Sequence, residues 1–181
     1  MRFFKQAARA RGRARFRLVD WLAAFGLLAA LALAARELDR RWTTPAELAG
    51  FAEAVDGDSL RLGGREVRLK GIDAPELGQY CQNRVGRDYP CGLAAKQWLR
   101  ARTLRGAFIC RIEAADRYGR LLGVCSLGSE EVNRQMVRDG LAVAYGAYGA
   151  EEAQAREGAA GLWAGRFVAP QQWRREHRPD G

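Results

Sequence analysis

The stretch RLKGIDAPE at residues 68–76 combines an arginine, an aspartate and a glutamate at the end of a strand-like segment. Gly71 and Pro75 interrupt the alternation of apolar and polar residues that precedes them, so the stretch reads as a strand followed by turns. Upstream the chain reads DGDS at 56–59, and downstream it reads DRYGR at 116–120. Each group falls at a strand end or a turn, where side chains of neighbouring strands can converge.

The apolar periodicity around these groups predicts an α+β fold that is mainly β. Alternating residues predict strands over 51–55, 59–62, 66–72, 107–112 and 121–127. Helical spacing predicts helices over 92–104, between Ser129 and Gly140, and over 150–160. The order of three strands, a helix, two strands and two helices indicates a small five-stranded β-barrel with three helices packed against it.

Length and composition limit the possible functions. A chain of 181 residues with 48% apolar and 28% charged residues has room for one globular domain and is not disordered. Its one histidine, His177, lies in a polar run near the end of the chain. Hydrolases that need a buried histidine and zinc sites with histidine ligands are therefore excluded.

The net charge of +9 is concentrated at the start of the chain. Residues 1–17 hold seven basic residues and no acidic one, and residues 18–35 are apolar apart from Asp20. A basic segment before an apolar one is typical of a membrane-targeting element, either an anchor or a signal peptide cleaved near Ala34 or Ala35. A buried core helix is the alternative for 18–35.

Membrane targeting would place the rest of the chain outside the cytoplasm, because the basic cluster stays on the cytoplasmic side. We expect a domain anchored in the inner membrane that faces the periplasm or the extracellular side, or a secreted domain if the signal is cleaved. Residues 36–50 read as a linker, 51–163 as the domain, and 164–181 as a polar tail.

The four cysteines are expected to form two disulfides in such an oxidising compartment. Cys110 and Cys125 lie in two predicted strands that flank a turn, so we expect these two to pair and Cys81 to pair with Cys91. A zinc site and four free buried thiols are the alternatives.

The acidic and basic residues of the three groups favour binding of a metal ion and a phosphate. Asp58 and Asp73 would form an oxygen site of the kind that Ca²⁺ or Mg²⁺ prefers. Arg68 and Arg120 beside it would bind phosphate through the planar guanidinium group. Ordinary surface ion pairs are the alternative interpretation.

Taken in this order, the motifs D-G-D-[ST], R-x-x-x-x-D-x-P-E and D-x-Y-G-R resemble those of the staphylococcal nuclease-like (thermonuclease) family. The similarity extends from residue 51 to 163 and includes VNRQMVRDGLA at 132–142 and GLW at 161–163. The resemblance implies an OB-fold barrel with helices and Ca²⁺-dependent hydrolysis of phosphodiester bonds.

The resemblance also assigns residues to roles around the metal ion. Asp58 and Asp73 match the carboxylate ligands of the Ca²⁺ ion, and the backbone carbonyl of Ala74 matches a third ligand. The family often has threonine where Ala74 stands. Asp56 matches an acid that lies behind the ligands.

Three further residues match the catalytic positions of the family. Arg68 and Arg120 match the arginines that bind the scissile phosphate, and Glu76 matches the glutamate that activates or orients the attacking water. Four residues match or approximate positions that contact the nucleotide: Arg117, Tyr118, Tyr145 and Tyr148.

The resemblance implies cleavage of DNA and RNA with little sequence preference, leaving 3′-phosphate ends, by a protein that we expect to be a monomer. The loop at residues 77–90, bounded by cysteines, departs from the family and could reshape the substrate groove. Two alternatives remain: a catalytically inactive OB-fold module that binds nucleic acid or protein at the membrane, and a structural domain.

Overall fold

The computed structural model describes residues 20–36, 46–116 and 118–177. The chain divides into two compact units, Met1–Thr44 and Pro45–Gly181. In the first, residues 20–36 form helix α1. Across the described residues, no helix has both the length and the apolar character that a membrane crossing requires. The basic segment 1–17 and most of the predicted linker lie outside the described residues.

The second unit contains eleven strands and four α-helices among its described residues. The strands are β1 Ala46–Gly50, β2 Ala52–Ala54, β3 Ser59–Leu62, β4 Arg65–Leu69, β5 Ile72–Asp73, β6 Cys81–Gln82, β7 Asp88–Tyr89, β8 Phe108–Ala115, β9 Leu121–Leu127, β10 Glu130–Glu131 and β11 Val143–Ala144. The helices are α2 Cys91–Thr103, α3 Val132–Arg138, α4 Gly149–Glu157 and α5 Pro170–Glu176, with a 3₁₀ turn at Gly161–Ala164.

One curled sheet forms a half-barrel and confirms the predicted fold class. Its strand order is β1-β8-β9-β4-β3-β2, with β10 beside β9. Neighbours are antiparallel except β4 and β9, which run parallel. The five predicted strands correspond to β2, β3, β4, β8 and β9. Alternate residues of β3 and β8 face the core, as the period-two pattern predicts.

The core lies between the concave face of the sheet and helices α2 and α3. Leu60 and Val67 contribute from the sheet, Leu99 from α2 and Met136 from α3, and each is fully buried. Asn133 at the start of α3 is also buried, and its side chain bonds the carbonyl oxygens of Lys70 and Gly123 and the backbone N–H of Cys125. These bonds satisfy a buried amide and fix α3 against the sheet.

Both predicted disulfides are present. Cys110 and Cys125 are directly opposite each other in the β8–β9 register, as neighbouring antiparallel strands require. Cys81 and Cys91 join β6 to the start of α2 and close the loop at 77–90. No free cysteine is found among the described residues, so the alternatives of zinc and four free thiols are wrong for this structure.

Two segments predicted to be irregular form regular structure. Ala46–Gly50, assigned to the linker, pairs along β8 as strand β1. It thereby satisfies the backbone groups of a strand that would otherwise be an unpaired edge. Residues 170–176, assigned to the polar tail, form α5, with Pro170 at the first helical position. Apart from α1, the described residues contain four α-helices, one more than the three predicted for the domain.

Candidate functional site

The DGDS turn places Asp58 inside the molecule, just before β3. The Asp56 carboxylate accepts a hydrogen bond from the backbone N–H of Asp58 at 2.9 Å, which fixes the turn. Gly57 is required there because a Cβ atom would lie 2.8 Å from the Cβ of Ala74. Asp58 is 4% exposed, so its carboxylate must find partners within the protein.

Those partners are supplied by β4 and β5. Ser59 pairs with Arg68 in the β3–β4 register, which brings the Arg68 side chain next to Asp58. Arg68 Nη2 lies 2.8 Å from Asp58 Oδ2 and 3.0 Å from Asp73 Oδ1, and the backbone N–H of Ala74 donates to Asp58 Oδ2 at 3.1 Å. The structure thus brings together four of the predicted site residues around one point.

Burial dominates the electrostatics of Asp58. It raises the pKa of Asp58 to about 7, against the opposing effects of the Arg68 guanidinium and of the Ala74 hydrogen bond. The carboxylates of Asp56 and Asp73 raise the pKa further. A second positive charge near Asp58 would favour its ionised form.

Glu76 lies at the rim of the same site, on the turn that follows β5. The buried Gln79 side chain accepts from the Glu76 backbone N–H at 3.3 Å, and the Gln79 backbone N–H donates to the Glu76 carbonyl at 2.8 Å. Gly92 at the start of α2 packs so closely that a Cβ there would lie 1.8 Å from the Glu76 carbonyl oxygen. The backbone of Glu76 is therefore held from two sides.

Arg174 on α5 is the site residue that the sequence analysis missed. Its Nη1 lies 2.8 Å from Glu76 Oε1 and 2.9 Å from Asp73 Oδ1, and its Nη2 lies 2.9 Å from Asp73 Oδ2. Hydrogen bonds to Asp73 and then to Glu76 raise the pKa of Arg174, so the guanidinium stays charged. Pro170 followed by the apolar Trp173 was a signal for the helix, but no local pattern indicates where Arg174 points.

Arg120 lies at the edge of the site and contacts a different set of acids. Its Nε donates to Asp116 Oδ2 at 2.8 Å, and its Nη1 lies 3.8 Å from Glu66 Oε1. Burial alone would lower the pKa of Arg120, but Asp116 and Glu66 raise it overall, with a smaller contribution from Asp58. Tyr118 is largely exposed beside it, with Arg120 Cζ 5.8 Å from the ring centroid.

The remaining predicted substrate contacts are distributed unevenly. Tyr145 is exposed and follows β11, which pairs with β5 and its Asp73. Tyr148 is half-buried against the core, and burial followed by a hydrogen bond with Glu131 raises the pKa of Tyr148. Arg117 lies outside the described residues.

The oxygen donors fit a hard divalent cation in chemical type. Asp58 and Asp73 both contact one atom of Arg68, so their carboxylates face a common point that positive charge already occupies. In the described residues, no group of three or more His, Cys, Asp or Glu side chains is arranged to hold a metal ion. The acidic side chains are instead paired with Arg68 and Arg174.

Comparison with known proteins identifies relatives of this chain. The model of the family described as staphylococcal nuclease homologue matches residues 66–165. The chain is 34% identical over 125 residues to the succinoglycan biosynthesis protein ExoI of Rhizobium meliloti, covering 63% of each chain. It is 34% identical over 139 residues to the probable staphylococcal-like nuclease CAN1 of Oryza sativa subsp. japonica, covering 72% of this chain and 39% of the relative.

A third relative is covered more fully. The chain is 34% identical over 143 residues to the micrococcal nuclease of Shigella flexneri, covering 67% of this chain and 76% of the relative. The first two relatives are matched over less than two thirds of their own length. The family match at 66–165 contains Arg68, Asp73, Ala74, Glu76 and Arg120 and the predicted nucleotide contacts, whereas Asp56 and Asp58 precede it and Arg174 follows it.

Proposed function

Since the chain belongs to the staphylococcal nuclease homologue family, we propose that it is a nuclease that hydrolyses phosphodiester bonds in DNA and RNA with little sequence preference. The observation that carries the proposal is the convergence of Asp58 and Asp73 on Arg68. Buried carboxylates beside a guanidinium form a site that attracts both a divalent cation and a phosphate.

The proposed role of the arginines follows from the charge that the reaction develops. When water attacks the phosphorus atom, negative charge grows on the phosphoryl oxygens and on the leaving 5′ oxygen. Arg68 would bind the phosphate from within the site, and Arg120 would bind it from the edge after leaving Asp116. Preorganised guanidinium groups stabilise this charge more strongly than they stabilise the substrate, which is the condition for catalysis.

Calcium held by Asp58, Asp73 and the carbonyl of Ala74 would supply additional positive charge to the phosphate and to the attacking water. Asp56 would support this arrangement from behind by holding the backbone of Asp58. The carboxylates must be ionised to serve, and the raised pKa of Asp58 makes its ionisation dependent on a nearby positive charge.

Glu76 is proposed to orient the attacking water and to accept its proton. The bond from phosphorus to the 5′ oxygen then breaks, and that oxygen takes a proton from solvent water, which leaves a 3′-phosphate and a 5′-hydroxyl; Glu76 returns its proton to solvent. Glu76 must first be released from Arg174, since its Oε1 is bonded to that guanidinium. Its backbone stays fixed by Gln79 during this change.

The test is cleavage of double-stranded DNA, single-stranded DNA and RNA by the purified full chain, with Ca²⁺, with Mg²⁺ and with EDTA. We expect cleavage of all three with Ca²⁺ and none with EDTA. Undiminished cleavage in EDTA would refute the role of calcium. A band shift without cleavage would refute the nuclease and would support the alternative, an inactive OB-fold module that binds nucleic acid.

We also propose that the domain works outside the cytoplasm, at the inner membrane or released from it. Two disulfides support the proposal, because such bonds persist in oxidising compartments. The acid-free basic segment 1–17 supports it too.

Fusions of the full chain to C-terminal reporters test the localisation. We expect alkaline phosphatase to be active and green fluorescent protein to be dark. The opposite pattern would refute export, and N-terminal sequencing of the mature protein distinguishes an anchor from a cleaved signal.

A further inference from the structure

Arg174 reaches the carboxylates of the proposed metal site from a distant part of the sequence. It contacts both oxygens of Asp73 and one oxygen of Glu76, at 2.8 to 2.9 Å. Asp73 Oδ1 also accepts from Arg68. Both oxygens of Asp73 are thus bonded to guanidinium groups, and the side chain of Asp73 is only 4% exposed.

We propose that Arg174 is a built-in competitor of the divalent cation: it holds Asp73 and Glu76 in the metal-free protein and releases them when the cation binds. The inference rests on the proposed function, because it concerns the same carboxylates. A guanidinium and a divalent ion are both positive and need the same oxygen lone pairs, so occupancy of Asp73 by one opposes occupancy by the other.

The segment that carries Arg174 is attached to the loop beside the proposed metal site. We define the C-terminal segment as residues 165–177. Gln82 and Arg166 exchange backbone hydrogen bonds at 2.7 and 3.2 Å, and the Gln79 side chain donates to the Val168 carbonyl at 2.7 Å. These two glutamines belong to the turn and loop that follow Glu76, so the loop at 77–90 positions the competitor.

Only the last part of the segment needs to move. The Arg174 side chain is 34% exposed and extends from α5, a helix of seven residues. The bonds to Gln82 and Gln79 are made by Arg166 and Val168, which precede that helix. Rotation of this one side chain, or a shift of α5, would free Asp73 and Glu76 together. The backbone bonds of Arg166 and the bond from Gln79 to Val168 can stay in place during either movement.

The expected effect has a definite sign. A neighbouring charge changes the affinity of a carboxylate for a proton by about 1 to 3 pKa units, which is about 10- to 1000-fold. The same interaction acts on a divalent cation at the same oxygens. Removing the charge of Arg174 should therefore strengthen Ca²⁺ binding by at least about tenfold.

The experiment is calorimetric titration of Ca²⁺ into the full chain and into Arg174→Gln and Arg175→Gln. Arg175 is the matched control because it is the exposed neighbour on the same helix and carries the same charge. We expect Arg174→Gln to lower the Kd at least about tenfold and Arg175→Gln to leave it near that of the wild type. The rise of Tm on adding Ca²⁺ should also be larger for Arg174→Gln, because tighter binding stabilises the folded state more.

Equal Kd values for the two variants, or weaker binding by Arg174→Gln, would overturn the proposal. Weaker binding with reduced cleavage would instead make Arg174 a positioning residue for Glu76. If neither the wild type nor the two variants bind Ca²⁺ while cleavage persists in EDTA, calcium has no part in the proposed function. The competitor role of Arg174 is then refuted as well. A Tm measured in EDTA confirms that both variants are folded.

Discussion

The site is built by two regions that differ in how they are held. The sheet-borne half consists of Asp58 on the turn before β3, Arg68 on β4 and Asp73 on β5. It lies beside the core that contains the Cys110–Cys125 disulfide. The loop-borne half consists of Glu76 and Arg174, which depend on the loop at 77–90 and on α5. We infer from the difference that the sheet-borne half holds the groups that bind the cation and the phosphate. The loop-borne half controls whether the carboxylates of Asp73 and Glu76 are free to take part.

The largest expected effect tests the sheet-borne half. Asp58→Asn should reduce cleavage by at least about 10³-fold, because it removes a carboxylate that the proposed cation requires. The measurement is kcat/KM on a fluorescent oligonucleotide with Ca²⁺. Asp88→Asn, an exposed acid of the loop at 77–90, is the matched control and should retain full activity. Similar losses in both variants would show that cleavage depends on the overall negative charge of the protein and not on the position of Asp58.

The same substitution should make the protein more stable without metal. The pKa of Asp58 is raised in the folded state, so its contribution to the free energy of unfolding is fully present below about pH 4 and is lost as the pH rises through about 7. A shift from 3.8 to about 7 corresponds to a loss on the order of 4 kcal/mol. Asp58→Asn cannot ionise and escapes that loss.

Urea unfolding in EDTA at pH 4 and at pH 8 measures this effect. The wild type should lose on the order of 4 kcal/mol relative to Asp58→Asn between the two values. Asp88→Asn should follow the wild type at both. If the difference between wild type and Asp58→Asn is the same at pH 4 and pH 8, then burial does not control the charge of Asp58.

The sheet-borne half could be predicted from the sequence, and the loop-borne half only in part. DGDS and RLKGIDAPE mark strand ends, and the two-residue alternation of β3 and β4 fixes which side chains become neighbours. Arg174 is 98 residues from Glu76 along the chain, and its helix begins in a polar segment whose docking depends on Gln79 and Gln82. Such tertiary pairing leaves no periodic signature in the sequence.

The strand at Ala46–Gly50, at the end of the predicted linker, was missed for a similar reason. Ala46–Gly50 contains two alanines, a glycine and a glutamate, a composition that does not favour a strand by itself. Its partner β8 is eight residues long and supplies the hydrogen bonds that order it. The low strand propensity of these residues is outweighed by the hydrogen bonds that the exposed edge of β8 offers.

Arg120 tests whether the edge of the site takes part in the chemistry. Arg120→Ala should cost on the order of 3 kcal/mol or more of transition-state stabilisation with little change in KM, because the guanidinium would act where charge develops. Steady-state kinetics with Ca²⁺ measures the effect, and Arg68→Ala should resemble it. Arg61→Ala is the control, since Arg61 is an exposed arginine of the same sheet, paired with Glu53. Near-normal turnover of Arg120→Ala would show that Arg120 serves its ion pairs with Asp116 and Glu66 and has no part in catalysis.

The smallest expected effect is a difference in stability between variants that lack one or the other disulfide. Each disulfide lies in a different half of the comparison, so the difference tests whether the halves are independently stable. Chain entropy predicts similar contributions, about 3 kcal/mol each, because the sequence separations of 10 and 15 differ little. Cys110→Ala/Cys125→Ala breaks a bridge between two fully buried residues of the main core, so urea unfolding should show the whole of that loss.

Cys81→Ala/Cys91→Ala breaks a bridge in a small separate cluster with Leu162, so part of its loss should appear as local opening and the loss in global unfolding should be smaller. Hydrogen exchange of the C-terminal segment should then accelerate in this variant alone, since the segment is attached to the loop at 77–90 through Gln82 and Gln79. Equal losses in urea with unchanged exchange at residues 165–177 would mean that sheet and loop unfold as one unit. The two halves of the site would then differ in where their residues lie, but neither half would open independently of the other.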